Sequence, residues 1–149
     1  MLSLGIDPGK SGAIAAIYGD GSVDWVKLSE TEHDVARWLE EHRCDSFAML
    51  EQVSAMPKQG VSSTFKFGTS YGFLRGILAA FEIPFETVTP VKWQTTMKCR
   101  TGGDKNITKA AAQRLYPSLK ITHANADAIL LAEFCKRLKL EVKEATNGL

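Results

Sequence analysis

Short apolar runs alternate with polar punctuation from the start of the chain. Residues 2–7 and 12–18 are apolar runs broken by Pro8-Gly9, and Asp20-Gly21 separates them from residues 22–28, which alternate around Val23, Trp25 and Val26. Runs of this length bounded by turn dipeptides predict a three-stranded antiparallel meander. Ser29 or Thr31 can cap the next segment, where Val35, Trp38 and Leu39 recur at helical spacing, and residues 47–50 give a short buried strand ending at Glu51. The predicted order to this point is βββαβ. Beyond a loop with Met56, Pro57 and Gly60, residues 62–81 read as one long helix in spite of Gly68, Gly72 and Gly76. Glycines every four residues make one smooth stripe, which lets either a second protein backbone or a nucleic-acid backbone approach; packing is the expectation for Gly72 and Gly76. Residues 85–88 predict a further strand, 91–97 a short helix, 99–104 a polar loop, 107–116 a helix stopped by Pro117, and 125–138 a last amphipathic helix before a polar, frayed tail.

Composition narrows the class. A chain of 149 residues, 44% hydrophobic and 23% charged, fits one globular domain, and no apolar run approaches the ~20 residues that span a bilayer, so no membrane role is expected. The opening MLSLGIDPGK has no basic stretch before its apolar residues and reads as the first strand, so a cytoplasmic location, in a bacterial or phage-infected cell, is expected. Cys44, Cys99 and Cys135 are odd in number and follow no paired spacing, which argues against a disulfide framework and a zinc site. The net charge of +1 hides an asymmetry. Residues 91–120 carry seven cations against Asp104 alone, whereas residues 20–45 carry eight acids against three cations. A basic stretch this dense suggests a phosphate-facing surface.

Three acids stand at positions suited to chemistry. Asp7 ends the first predicted strand before Pro8-Gly9, Glu51 ends the fourth, and Asp127 lies in the last helix within Ala126-Asp127-Ala128, whose small neighbours let that helix lie close against a sheet. Each alone is more readily a turn former or a cap; the ordered three are harder to dismiss. Gly9-Lys10-Ser11 echoes a phosphate-binding loop, but Leu4 stands where that loop needs its first glycine, so no nucleotide cofactor is expected. His33 and His42 lie on or near a polar helix without a convergent cluster and receive no role.

The order βββαβ with these acids resembles the RNase H-like nucleases. Gly5-Ile-Asp7-Pro-Gly9, Leu50-Glu51-Gln52, Pro90-Val-Lys92, Gly102-Gly-Asp-Lys105 and Ala126-Asp127-Ala128 together resemble the RuvC family of Holliday-junction resolvases, especially its small phage-type members, over about residues 1–135. The first motif alone is shared with sugar kinases and actin-like ATPases; the ordered set is the specific part. The resemblance implies an α/β fold: a mixed five-stranded sheet, three antiparallel strands then two parallel, flanked by helices. It also implies a single nuclease domain over residues 1–149, of which about 139–149 form a polar tail.

The implied activity is metal-dependent endonucleolytic resolution of four-way DNA junctions by a homodimer making paired symmetric nicks. Two divalent cations supply nucleophile and charge stabilisation for phosphodiester hydrolysis, and carboxylates hold such hard ions, so two Mg²⁺ per active site, with Mn²⁺ able to substitute, are expected. Asp7 is assigned as bridging ligand, with Glu51 on one ion and Asp127 on the other. The family's further acid or histidine three residues before the last aspartate is Ala124 here; His123, four before Asp127, is an alternative ligand or base if both share a helical face, or else caps the helix or contacts phosphate. Asn125 reads as a capping residue. Lys92 and Lys105 match lysines the family places near the cleaved strand, Lys109 and Arg100 extend that basic surface, and Phe65 or Phe67 could stack on an unpaired base, although core packing is expected of at least one of them. Rival readings are a broader phage debranching nuclease cutting forks, flaps and three-way junctions, a non-cleaving junction-binding module, and an actin-like ATPase fragment.

Overall fold

The computed structural model describes residues 1–54 and 57–148; Met56 lies outside them. Ten elements follow in chain order: β1 (Leu2–Ile6), β2 (Ala13–Ile17), β3 (Val23–Lys27), α1 (Glu32–Glu41), β4 (Ser46–Glu51), α2 (Val61–Ala80), β5 (Phe85–Val88), α3 (Pro90–Thr96), α4 (Lys105–Leu115) and α5 (Ala126–Asn147). The strands form one sheet in the order β3-β2-β1-β4-β5. β1–β2 and β2–β3 are antiparallel, and β1–β4 and β4–β5 are parallel, as expected.

β1 and β2 are buried along their whole length, which explains why they read as nearly unbroken apolar runs. Successive side chains of a strand point to opposite faces. Leu2, Leu4, Ile6, Ile14, Ala16, Ala48 and Leu50 therefore join one core with Val35 and Leu39 of α1 and Leu74 and Leu78 of α2. Ala13, Ala15, Ile17, Met49 and Val88 join the other, with Trp93 of α3, Ala111 and Ala112 of α4, and the buried side of α5. Gly5, on this second face, sits directly under α5: a Cβ there would lie 2.1 Å from the Ala132 nitrogen and 2.2 Å from the Ala128 oxygen. The absence of that one atom, with alanines opposite it, lets the helix axis approach the sheet.

Three expectations change. The glycine stripe of α2 does not pack inward: a Cβ at Gly68, Gly72 or Gly76 would meet nothing within 4 Å. The buried side of α2 is marked by Leu74 and Leu78, and at 3.6 residues per turn Gly72 and Gly76 fall roughly opposite it. The tail is not frayed, because α5 runs to Asn147 and ends at Gly148; residues 139–147 hold no glycine or proline, so nothing breaks the helix before that cap. α4 begins two residues early, at Lys105, because the Asp104 carboxylate accepts the Asn106 N–H at 2.9 Å after Gly102 and Gly103 turn the chain at positive φ.

Candidate active site

Asp7 directly follows β1 and continues the alternation of Ser3 and Gly5, while Glu51 continues that of Phe47 and Met49. Ile6 pairs with Leu50 in the parallel ladder, so the next residues, Asp7 and Glu51, emerge side by side on the face covered by α5. The Pro8-Gly9 turn folds back on Asp7: the Gly9 N–H donates to Asp7 Oδ1 at 3.1 Å, and the Asp7 N–H donates to the Ala13 carbonyl at 3.0 Å. Gly12 completes this turn, since a Cβ there would lie 2.0 Å from the Asp7 carbonyl oxygen. The close seating of α5 over Gly5, at Ala128 and Ala132, places the neighbouring Asp127 at the same end of the sheet.

Electrostatics report the convergence. Burial raises the Asp7 pKa above the ordinary carboxylate value; the Gly9 N–H opposes this, the Asp127 charge adds to it, and Lys105 subtracts from it. Glu51 is pushed up to about 7, chiefly by burial, with the Trp93 indole and Lys105 opposing and Asp7 and Asp127 adding. Asp127 Oδ1 is buried without a hydrogen-bond partner among the described residues. Burial, then the Asp127 charge, pushes the Cys99 thiol up to about 11, leaving it an inert neighbour. Three mutually repelling carboxylates, one with an orphaned oxygen, form an oxygen-rich setting with excess negative charge that a hard divalent cation would relieve. Among the described residues no group of three acidic, histidine or cysteine side chains is drawn together closely enough to hold a metal ion.

Lys105, first residue of α4, is the cation both Asp7 and Glu51 feel. Lys109 follows one turn later and is half-buried, while Lys92 on α3 and Arg100 in the α3–α4 loop are exposed. His123 is exposed in a turn, not on a helix, because α5 starts only at Ala126; the shared helical face expected of His123 and Asp127 therefore does not exist. Its Nε2 lies 3.1 Å from Asn106 Oδ1. Asn125 is fully buried and occupies the cap position, but its side chain serves the preceding loop, accepting from the Thr122 N–H at 2.8 Å and donating to the Lys120 carbonyl at 3.2 Å. Phe65 is 75% exposed and Phe67 half-buried. Both line a groove of about 710 Å³ shared with Pro8, Gly9 and Lys10 of the Asp7 turn.

Trp93 is the site residue that sequence reasoning missed. Its indole N–H donates to Glu51 Oε2 at 2.7 Å from a fully buried ring. In the sequence it looks like an ordinary apolar anchor of a short helix; the available signal was that a buried indole must find an acceptor.

No protein-family model and no curated protein matches the chain. Among solved structures it is similar to Thermus thermophilus RuvC, with a TM-score of 0.63 and 17% identity over 93% of this chain and 97% of that one. It is also similar to T. thermophilus RuvC in complex with a Holliday junction substrate, with a TM-score of 0.64 and 17% identity over 93% of this chain and 96% of that one. The fold is the RuvC-type, RNase H-like fold that the motifs implied.

Proposed function

We propose that this chain is a metal-dependent endonuclease that resolves four-way DNA junctions by paired nicks. The observation that carries the reading is that Asp7 and Glu51 leave adjacent strands side by side and feel the charges of Asp127 and Lys105, in a fold shared with a junction-bound RuvC. Asp7, Glu51 and Asp127 would hold Mg²⁺, with Mn²⁺ as substitute. Two such ions, when bound, would supply an activated water and charge stabilisation for the attacking and leaving oxygens.

The chain's own groups do the rest. The Gly9 N–H fixes the Asp7 carboxylate, and the ammonium of Lys105 holds the scissile phosphate and offsets the charge that grows during cleavage. His123, bonded to Asn106 through Nε2, retains Nδ1 for a metal or a water. Lys92, Arg100 and Lys109 hold the DNA backbone, and Phe65 and Phe67, in the groove beside the Asp7 turn, receive an unpaired base. A second copy of the chain docks on the outer side of α2, where Val61 is exposed and the glycine stripe lies open; two active sites then face two strands of a symmetric junction. The protein works in the cytoplasm of a bacterium or a phage-infected cell.

Binding and cutting separate the nuclease from a junction-binding module. Nicking of a four-way junction is expected with Mg²⁺ or Mn²⁺ and lost in Asp7→Asn, while Ca²⁺ supports binding without cutting. Undiminished nicking in chelator would contradict the reading.

A further inference from the structure

Trp93 heads the fully buried side chains in size, yet it carries a polar N–H into the core. The route to its partner is short and bonded throughout. Val88, the last residue of β5, pairs with Glu51, and the Gln52 N–H donates to the Val88 carbonyl at 2.7 Å. Thr89 then caps α3 by accepting the Lys92 N–H, Pro90 sets the first turn, and the Trp93 N–H closes it on the Thr89 carbonyl at 3.2 Å. One helical turn beyond the ladder position opposite Glu51, the ring therefore returns to Glu51 with little freedom in the linking backbone. A phenylalanine or leucine would fill a core position; the indole adds a charge-assisted hydrogen bond aimed at one carboxylate oxygen.

We infer that Trp93 is a positioning residue: its indole N–H locks Glu51 Oε2 so that the other carboxylate oxygen is presented to a divalent cation. The cation rests on the nuclease reading above; the lock itself does not. Partners behind a metal ligand commonly govern affinity or activity by about 10–100-fold.

The chain has three tryptophans, and Trp25 and Trp38 lie on β3 and α1, so its three indole N–H signals in a proton–nitrogen correlation spectrum can be assigned by elimination with Trp25→Phe and Trp38→Phe. Glu51→Gln is expected to move the Trp93 signal and leave the other two, and Mg²⁺ is expected to move the same signal in the natural protein. Trp93→Phe is expected to need about tenfold or more Mg²⁺ for half-maximal junction nicking, with KM for the junction unchanged. A Trp93 signal indifferent to Glu51→Gln or to Mg²⁺ would overturn the inference, as would a natural Mg²⁺ requirement in Trp93→Phe. The spectral arms need no change at Trp93, so they decide even where Trp93→Phe does not fold. A protein that cuts no branched DNA, but whose Trp93 signal answers to both Glu51→Gln and Mg²⁺, would end the nuclease reading and leave the lock standing.

Discussion

Glu51 keeps its proton to about pH 7 in the folded chain, against 4.5 for the free side chain. The folded state thus binds this proton more tightly than the unfolded state does. Its stabilising contribution is complete below about 4.5 and is lost as pH rises through about 7, and Asp7 is shifted in the same direction. In chelator, the melting temperature of Glu51→Gln relative to the natural protein is expected to rise between pH 5 and pH 8, because the amide cannot ionise. A gap constant across that range would contradict the buried-carboxylate account. Mg²⁺ acts in the opposite sense, since ligands must shed their protons, and it should raise the melting temperature more at pH 8 than at pH 6. Asp7, Glu51 and Asp127 were legible in the sequence because each ends or enters an element that the apolar pattern marks. Trp93 was not, because a hydrogen bond between residues 42 positions apart leaves no local trace.

At the scale of elements, two glycines have opposite meanings. Gly5→Ala drives a methyl group into the α5 backbone and is expected to cost about 3 kcal/mol or more, read by chemical denaturation. Gly72→Ala adds a methyl group to open space on α2 and should gain roughly 0.5–1 kcal/mol in the monomer through helix propensity alone. A loss of stability there at low protein concentration would mean that the face is covered within one chain. The strands, the first antiparallel meander and most helices followed from the alternating and helical patterns, since burial on one or both faces writes itself into sequence, whereas the parallel pairings came from the family resemblance. The outward turn of the glycine stripe did not, because glycines carry no side chain to show which face is buried. The start of α5 was read to within one residue, but the helical pairing of His123 with Asp127 failed: the helix begins only at Ala126, and the Asn125 side chain is spent on the loop at residues 120–122, leaving His123 in a turn.

Across the whole molecule, topology converts a linear charge pattern into a spatial one. The acidic stretch builds β3 at one edge of the sheet and α1 beside it, whereas the basic stretch follows β5 at the other edge and forms α3 and α4 on the opposite face. Among the described residues no helix is long and apolar enough to cross a membrane. If Lys92, Arg100, Lys105 and Lys109 each neutralise a phosphate, junction affinity should fall with salt at a log–log slope of about −3 to −4 per protomer, and Lys105→Ala should reduce the steepness by about one. A flat response would remove the basic face from the DNA interface. The most direct measurement is strand-specific nicking of an immobile four-way junction, beside a fork and a plain duplex, by the natural protein and Asp127→Asn in Mg²⁺. Paired symmetric nicks confined to the junction, reduced more than about a hundredfold in Asp127→Asn, are predicted; tight binding without cutting, or cutting that survives the substitution, would contradict the account.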